Sequence, residues 1–257
     1  MSDQVGLSSS SLNSIQNLQR IDRSQGINQN ELSTGRQDSR RNIIAELASK
    51  SLTDRASDLA TVKNDINEGL STVESALGGL DSIEAALNQA KAIASEYEKT
   101  SDPTRQADLQ KQFNEISQQI DYLAQDSGYN GVNLISSNPD DLTVAYGGED
   151  GSNLTIKGQG ADSASLNLSL SVDSVDAAIN QVRSSAETLG QTSSILSIRA
   201  DFTEKLQNNL EAGASDLVET DLNKNAAEAL ALQTRDQLAT AGLNIAAQSE
   251  RAVVQLF

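Results

Sequence analysis

The sequence has 257 residues, and 19 lysines and arginines against 36 aspartates and glutamates give it a net charge of -17. Such a negative surface repels phosphate groups, so we expect neither nucleic acid nor an anionic membrane as a partner. The chain has no cysteine and no histidine, which removes disulfides, thiolate chemistry and the commonest general base and metal ligand. Composition therefore favours a non-enzymatic protein without a cofactor or a metal site.

Residues 1–34 are rich in serine, asparagine and glutamine and contain few apolar residues. Leu12, Ile15 and Leu18 lie on one broad face of a predicted helix. This density of apolar residues is too low to stabilise a solitary helix in water. We expect the segment to be disordered alone and helical when it packs against a partner.

Three arginines, Arg36, Arg40 and Arg41, form a local basic cluster after this segment. Two interpretations are open at this point. The cluster is either a solvated turn or a contact with an acidic neighbour.

An apolar seam spaced by threes and fours runs from Leu59 to Tyr97 and predicts one long helix over about 45–100. At 1.5 Å per residue this seam is roughly 57 Å long, so it needs partner helices of similar length. Its predicted core residues are Leu59, Val62, Ile66, Val73, Leu80, Ile83 and Leu87. No stretch of the sequence is long and apolar enough to predict a membrane span.

Asp102 followed by Pro103 predicts the start of a second helix, over about 104–127. Phe113, Ile116 and Ile120 form its apolar face. A length of about two dozen residues lets this helix fold back antiparallel on the first one.

Between residues 142 and 172 the apolar period changes from helical spacing to two. Alternating residues at 142–146, 154–157 and 166–172, with glycine-rich turns between them, predict a small antiparallel β-element of two or three strands.

Helical spacing returns over about 174–217, where Val182 and Leu189 lie on the predicted core face. Seam positions after Leu189 are more often polar, so looser packing is expected there. The final segment is rich in alanine and ends on Leu256 and Phe257, and such an apolar end predicts burial in an assembly. The predicted fold class is mainly α: a long antiparallel helical bundle or coiled-coil rod, with the β-element in mid-sequence and helical terminal tails.

Several short motifs in this order resemble the bacterial flagellin family across essentially the whole chain. The matching segments are Glu31-Leu32-Ser33-Thr34-Gly35, residues 51–59, Tyr129-Asn130-Gly131-Val132-Asn133-Leu134-Ile135, and the closing residues 246–257. The resemblance is to a short form that lacks large variable outer domains. After Gly35 the segment departs from the family pattern, since Arg40 and Arg41 stand where many flagellins have small residues and aspartates.

The resemblance implies a structural subunit that assembles with copies of itself into the extracellular flagellar filament used for motility. Residues 1–44 and 218–257 are expected to form an inner tube, disordered in the monomer and ordered on assembly, and residues 45–217 an outer rod. The family also implies hook–filament junction proteins, a filament cap and an export chaperone as partners, with export that uses no cleavable signal peptide. Expected inner-tube contacts are Leu12, Ile15, Leu18, Leu238, Ile245, Val253, Leu256 and Phe257.

An innate immune receptor contacts many flagellins through a charged motif that this chain has lost. Gln89 stands in place of its first arginine, Lys91 in place of its second, and Ala92 in place of its glutamate. Because charge-assisted hydrogen bonds are lost, weak or absent receptor activation is expected.

Two alternatives to a flagellin remain open from the sequence. A hook–filament junction protein shares the frame of helical ends, and would cap or adapt rather than polymerise. An exported coiled-coil adaptor would be a monomer or a small oligomer, without need of an apolar end.

Overall fold

The computed structural model describes residues 9–146 and 152–254, without the side chains of 9–11, 250 and 252–254. Within these ranges the chain forms five helices and two strands: α1 Ser9–Thr34, α2 Ile43–Lys99, α3 Pro103–Asp126, β1 Leu142–Ala145, β2 Asn153–Ile156, α4 Val172–Val218 and α5 Leu222–Val254. The predicted mainly α fold with a small mid-sequence β-element is confirmed. The helix ranges predicted for 45–100, 104–127 and 174–217 lie within two residues of α2, α3 and α4. None of the described helices is long and apolar enough to cross a lipid bilayer.

Side-chain caps explain where four of the helices begin. A residue just before each helix accepts a hydrogen bond from a backbone N–H of the first turn, which otherwise has no partner. The caps are Asn42 for α2 (3.1 Å), Asp102 for α3 (3.0 Å), Ser171 for α4 (3.2 Å) and Asp221 for α5 (3.0 Å). Pro103 occupies the first turn of α3, where its missing N–H costs nothing.

The chain divides into two compact units. The terminal unit comprises residues 1–54 and 210–257, and the central unit comprises residues 55–209. The boundary between them falls inside α2 and α4, each of which contributes to both units. The predicted division at 44/45 and 217/218 into inner tube and outer rod stays a prediction.

The central unit packs parts of α2, α3 and α4 around one apolar cluster. Ion pairs fix α4 antiparallel to α2, because rising numbers on α2 meet falling numbers on α4. They join Lys63 to Glu204 at 2.9 Å, Glu84 to Arg183 at 2.6 Å, and Lys91 to Asp176 at 2.5 Å. Of the residues predicted for the core, Val62, Ile66, Val73, Leu80, Ile83, Leu87, Phe113, Ile120, Val182 and Leu189 are buried in this cluster, whereas Leu59 and Ile116 are half-buried.

Gly79 lets the residue that follows α3, and the loop after it, approach α2 closely in the central unit. An added Cβ at this position would lie 2.6 Å from the Cβ of Ser127 and 2.8 Å from the Cδ1 of Ile135, well inside van der Waals contact. Adjacent Gly78 has no such neighbour within 4 Å. This close packing against α2 therefore depends on the missing side chain at one of two successive glycines.

The β-element is a two-stranded antiparallel hairpin with Leu142 opposite Ile156 and Ala145 opposite Asn153. The alternating residues 166–171 do not add a third strand. They form turns closed by backbone hydrogen bonds from Leu166 to Asp162 (3.0 Å) and from Leu168 to Ser163 (2.9 Å). Leu166 is nevertheless buried in the central cluster, so the period of two reflects packing without strand pairing.

Candidate assembly surfaces

The interior of the terminal unit is small and mostly polar. Its buried described residues are Asn28, Glu31, Asp38, Ser49, Ala214, Val218, Asn225 and Leu232. The two buried residues of α1, Asn28 and Glu31, are both polar. Of the two in α5, Asn225 is polar and Leu232 is apolar. The central unit differs, since every member of the large apolar cluster lies between Val62 and Leu196. Within one copy of the chain, the pairing of α1 with α5 therefore fully buries few apolar side chains among the described residues.

Polar contacts hold α1, α5 and the α1–α2 connection together around Glu31. Its fully buried carboxylate accepts hydrogen bonds from the Asn225 side chain at 2.9 Å and from the backbone N–H of Asp38 at 2.8 Å, and the Nε of Arg41 lies 3.3 Å away. Backbone bonds from Gln37 to Val218 and from Thr220 to Gly35 join the α1–α2 connection to the end of α4 and to the α4–α5 connection. The carboxylate thus joins α1 both to the α1–α2 connection and to α5, whose Asn225 lies 194 residues away in the sequence.

The predicted basic cluster contacts acidic side chains of its own chain. Arg41 lies between Glu31 and Glu228, and Arg40 forms a bidentate pair with Asp38, with both N–O distances 2.9 Å. Hydrogen bonds from the guanidinium and the backbone N–H of Arg40 lower the pKa of Asp38 to about 2. Of the two interpretations open from the sequence, the structure shows the contact with an acidic neighbour.

Large apolar side chains remain exposed along α5. They include Leu222, Leu230, Leu238 and Ile245, of which the last three are between 66% and 68% exposed. Leu238 and Ile245 belong to the contacts predicted from the sequence. On α1, Leu12 is exposed, whereas Ile15 and Leu18 are half-buried. The side chain of Val253, and Leu256 and Phe257 altogether, lie outside the described residues.

Two further exposed apolar groups were not singled out from the sequence. Ile43, Ile44 and Leu47 project at the start of α2, and Ile195, Ile198 and Phe202 project along α4. Ile195, Ile198 and Phe202 are spaced by three and four residues, so the sequence does contain the pattern of an apolar helix face. The same stretch of α4 also carries the buried Leu196 and Thr203 and the half-buried Ala200 on the neighbouring face, and their spacing is equally helical.

The three positions that depart from the receptor-binding motif lie on α2 in the central unit, and they face two directions. Gln89 and Ala92 are exposed and line a shallow groove of about 450 Å³, together with Glu115 and Ile116 of α3. Lys91 instead forms its ion pair with Asp176 of α4. Among the described residues, no three acidic side chains converge in a way that could hold a metal ion.

Comparison with protein families gives two matches that together cover most of the chain. A model described as the bacterial flagellin N-terminal helical region matches residues 7–139, and one described as the bacterial flagellin C-terminal helical region matches residues 172–257. The residues between the matches include the whole β-element. Each match contains one of the terminal helices whose contacts are described above.

Curated relatives extend the similarity over the length of the chain. Flagellin FljO of Caulobacter vibrioides is 26% identical over 98% of both chains, and flagellin FljK of the same organism is 29% identical over 79% of this chain and 78% of that protein. Flagellin A of Rhizobium meliloti is 36% identical over 43% of this chain and 27% of its own length. A crystal structure of Bacillus cereus flagellin has a TM-score of 0.49 at 19% identity, covering 54% of this chain and 88% of that one.

Proposed function

This chain belongs to the bacterial flagellin family, and from that premise we propose that it assembles by coupled folding and association of its terminal helices. As a flagellin, it is a structural subunit of the flagellar filament used for motility. What remains to be assigned is which residues order on assembly, which surfaces meet, and which other proteins the chain contacts.

The polar interior of the terminal unit is the observation that carries this proposal. Ordering the backbone of one residue costs about 1–2 kcal/mol, and buried apolar area is the main term that offsets this cost. The α1–α5 pair of one copy offers Leu232 as its one large buried apolar side chain among those described. Residues 1–44 and 218–257 are therefore disordered in the monomer and fold when neighbouring copies cover their exposed apolar residues.

The central unit holds enough apolar surface to fold in the monomer. Its cluster joins α2, α3, α4 and the hairpin through residues with little or no exposure, such as Ile66, Leu80 and Ile135. The outer rod of the filament, residues 45–217, is built around this unit. The inner tube is built from α1 and α5, with Leu12, Ile15, Leu18, Leu238, Ile245, Val253, Leu256 and Phe257 in contacts between copies.

Other partners follow from membership of the family. The assembled filament is extracellular, and the chain reaches it by export without a cleavable signal peptide. Hook–filament junction proteins and a filament cap contact its two ends, and a chaperone binds the C-terminal helix before export. The chain has a structural role and no catalytic one.

The two alternatives from the sequence are not favoured by the comparisons. A flagellin model matches each end of the chain, and the curated relatives that match it over most of its length are flagellins. A junction protein or a coiled-coil adaptor accounts less directly for both facts.

Seeded polymerisation tests the proposal. Heat-dissociated monomer is mixed with short filament fragments, and growth is followed by light scattering and electron microscopy. Wild-type monomer extends the seeds, whereas the double variant Leu238→Ser/Ile245→Ser does not, because it removes two exposed apolar contacts from α5. The control Gln237→Ser/Asn244→Ser changes exposed neighbours on the same helix and grows normally. Failure of folded wild-type monomer to extend seeds contradicts the proposal.

A further inference from the structure

One dipeptide of the central unit is prone to a spontaneous reaction. Asn130-Gly131 is the single asparagine–glycine pair in the sequence, and both residues are exposed to water. In such a pair the backbone nitrogen of the glycine can attack the side-chain carbonyl carbon of the asparagine, because glycine has no Cβ to hinder the approach. The asparagine amide is then lost, which makes asparagine one of the thermolabile residues of proteins.

The pair occupies the two central positions of a tight hairpin turn. Backbone hydrogen bonds of 2.9 Å join Tyr129 and Val132 in both directions, and the φ angles of Asn130 and Gly131 are 48° and 84°. Two successive positive φ angles between paired residues are typical of a type I′ turn. A left-handed residue has a ψ of about 47°, which places the Gly131 nitrogen opposite Asn130 Cβ across the Cα–C bond. Ring closure needs the two on the same side, so the turn holds the reacting atoms apart.

Glu68 of α2 holds the side chain of the same asparagine. Asn130 Nδ2 donates to Glu68 Oε1, so the group that leaves in the reaction is bound in the folded chain. The contact joins residues 62 apart in sequence and borders a groove of about 250 Å³ that α2, the turn and β1 line together. A carboxylate bound to the neighbouring side chain also opposes loss of the Gly131 proton, which the attack requires. Turn geometry and the α2 contact therefore act in the same direction.

We propose that Asn130 is a modification site that reacts only when the turn opens away from α2. On opening, the Gly131 nitrogen forms a bond to Asn130 Cγ and the Cγ–Nδ2 bond breaks. The amide nitrogen leaves as ammonia and takes the proton of the Gly131 N–H. Water then adds at either carbonyl carbon of the succinimide ring and leaves aspartate or isoaspartate at this position. Water is the one co-reactant of the sequence.

The product cannot restore the contact that it replaces. Aspartate and isoaspartate both present a carboxylate where Asn130 presented a donor, so Glu68 meets an acceptor of like charge. Asp65 borders the same groove, and residues 55–209 contain 10 lysines and arginines against 23 aspartates and glutamates. Isoaspartate also lengthens the backbone inside a two-residue turn. Each modified chain therefore keeps a permanent record that this turn has opened.

Comparison of the folded and the unfolded chain tests whether the fold controls the reaction. Monomer is incubated at one mildly alkaline pH with and without guanidinium chloride, so that the result does not depend on assembly. Chromatography and mass spectrometry of the peptide that contains Asn130 separate asparagine from aspartate and isoaspartate. Conversion in the folded chain is expected to be at least about tenfold slower, which corresponds to about 1.4 kcal/mol of protection. Equal rates in the two conditions overturn the proposal.

Substitution of Glu68 separates local opening of the turn from global unfolding. Glu68→Ala removes the acceptor of Asn130 Nδ2, and Glu74→Ala removes an exposed glutamate elsewhere on α2 as the matched control. Because one hydrogen bond is lost, conversion of Asn130 in Glu68→Ala is expected to rise about threefold or more, while Glu74→Ala stays at the wild-type rate. Glu68→Gln keeps an acceptor without the charge and falls between them.

The free energy of unfolding of each variant is measured by chemical denaturation alongside the rate of conversion. Faster conversion in Glu68→Ala than its change in global stability accounts for supports opening of the turn alone. Equal rates in Glu68→Ala and Glu74→Ala, or rates that follow global stability throughout the set, overturn the proposed control by Glu68.

Discussion

The carboxylate of Glu31 accepts a hydrogen bond of 2.9 Å from the side-chain amide of Asn225, and both residues are buried. The two positions are 194 residues apart, so this bond sets α1 against α5. The second oxygen of the same carboxylate accepts from the N–H of Asp38, where the chain leaves α1. One acidic side chain therefore links the two terminal helices and the segment that follows α1.

Replacing Glu31 by alanine is expected to weaken the filament. The change removes the acceptor of the Asp38 N–H and of one N–H of the Asn225 amide, whose other bond goes to the Thr220 hydroxyl at 2.8 Å. Each buried donor left unpaired costs about 1–3 kcal/mol. The critical concentration for seeded growth rises tenfold or more. The exposed neighbour Asn30→Ala is the control and stays close to wild type. Growth of Glu31→Ala at the wild-type concentration would show that the buried contact is dispensable.

Substitution of the paired glycines separates close packing from helix propensity in the central unit. Gly79→Ala lowers the free energy of unfolding of the monomer by about 1–3 kcal/mol, because the new methyl group overlaps Ser127 and Ile135. Gly78→Ala has open space around it and raises that free energy by up to about 1 kcal/mol. Chemical denaturation measures both. If both variants change the free energy of unfolding in the same direction, the close packing observed at Gly79 is contradicted.

Acid lability of the filament depends in part on the Asp38–Arg40 pair. The pKa of Asp38 is lowered from 3.8 to about 2 by Arg40, so the pair contributes stability above about pH 4 that is lost as the pH falls toward 2. Filaments of Asp38→Asn and of Arg40→Gln dissociate at a higher pH than wild type, as followed by light scattering. The difference in stability between variant and wild type shrinks as the pH approaches 2. If the difference in stability between variant and wild type grows toward pH 2, the pair does not stabilise the filament in the predicted pH range.

Restoring the charged motif on α2 is expected to increase activation of the innate receptor. Purified wild-type protein gives a weak or absent signal in a receptor reporter assay, since Gln89 and Ala92 offer no charged groups on the exposed face. The variant Gln89→Arg/Lys91→Arg/Ala92→Glu gains signal, and Ser82→Arg, an exposed change elsewhere on α2, does not. Strong signalling by the wild-type protein would refute the prediction.

The long helices could be predicted from the sequence because their signals are local. The apolar seam of α2 and α4, the cap at Asp102 and the proline after it all act within a few residues, and the observed helix ends agree with the prediction within two residues. The alternation of apolar residues within each of the two strands acts over a similar range. The alternation at 166–171 was ambiguous, because burial of every second residue occurs in turns as well as in strands.

The polar interior of the terminal unit could not be predicted in this way. Asn28, Glu31 and Asn225 are residue types that are usually exposed, and nothing near them in the sequence marks them as buried. The partner of Asn28 lies 197 residues away, so only the folded chain reveals the pair. The sequence instead directed attention to Leu12, Ile15 and Leu18, of which Leu12 is exposed in the single copy.

Hydrogen exchange of the monomer and the filament tests most directly whether folding of the terminal helices is coupled to assembly. Exchange of backbone amides is followed by mass spectrometry under identical conditions. We expect peptides from α1 and α5 to exchange rapidly in the monomer and slowly in the filament, while peptides from the middle of α2, α3 and α4 are protected in both. Protection of α1 and α5 in the free monomer equal to that in the filament would contradict coupled folding and association.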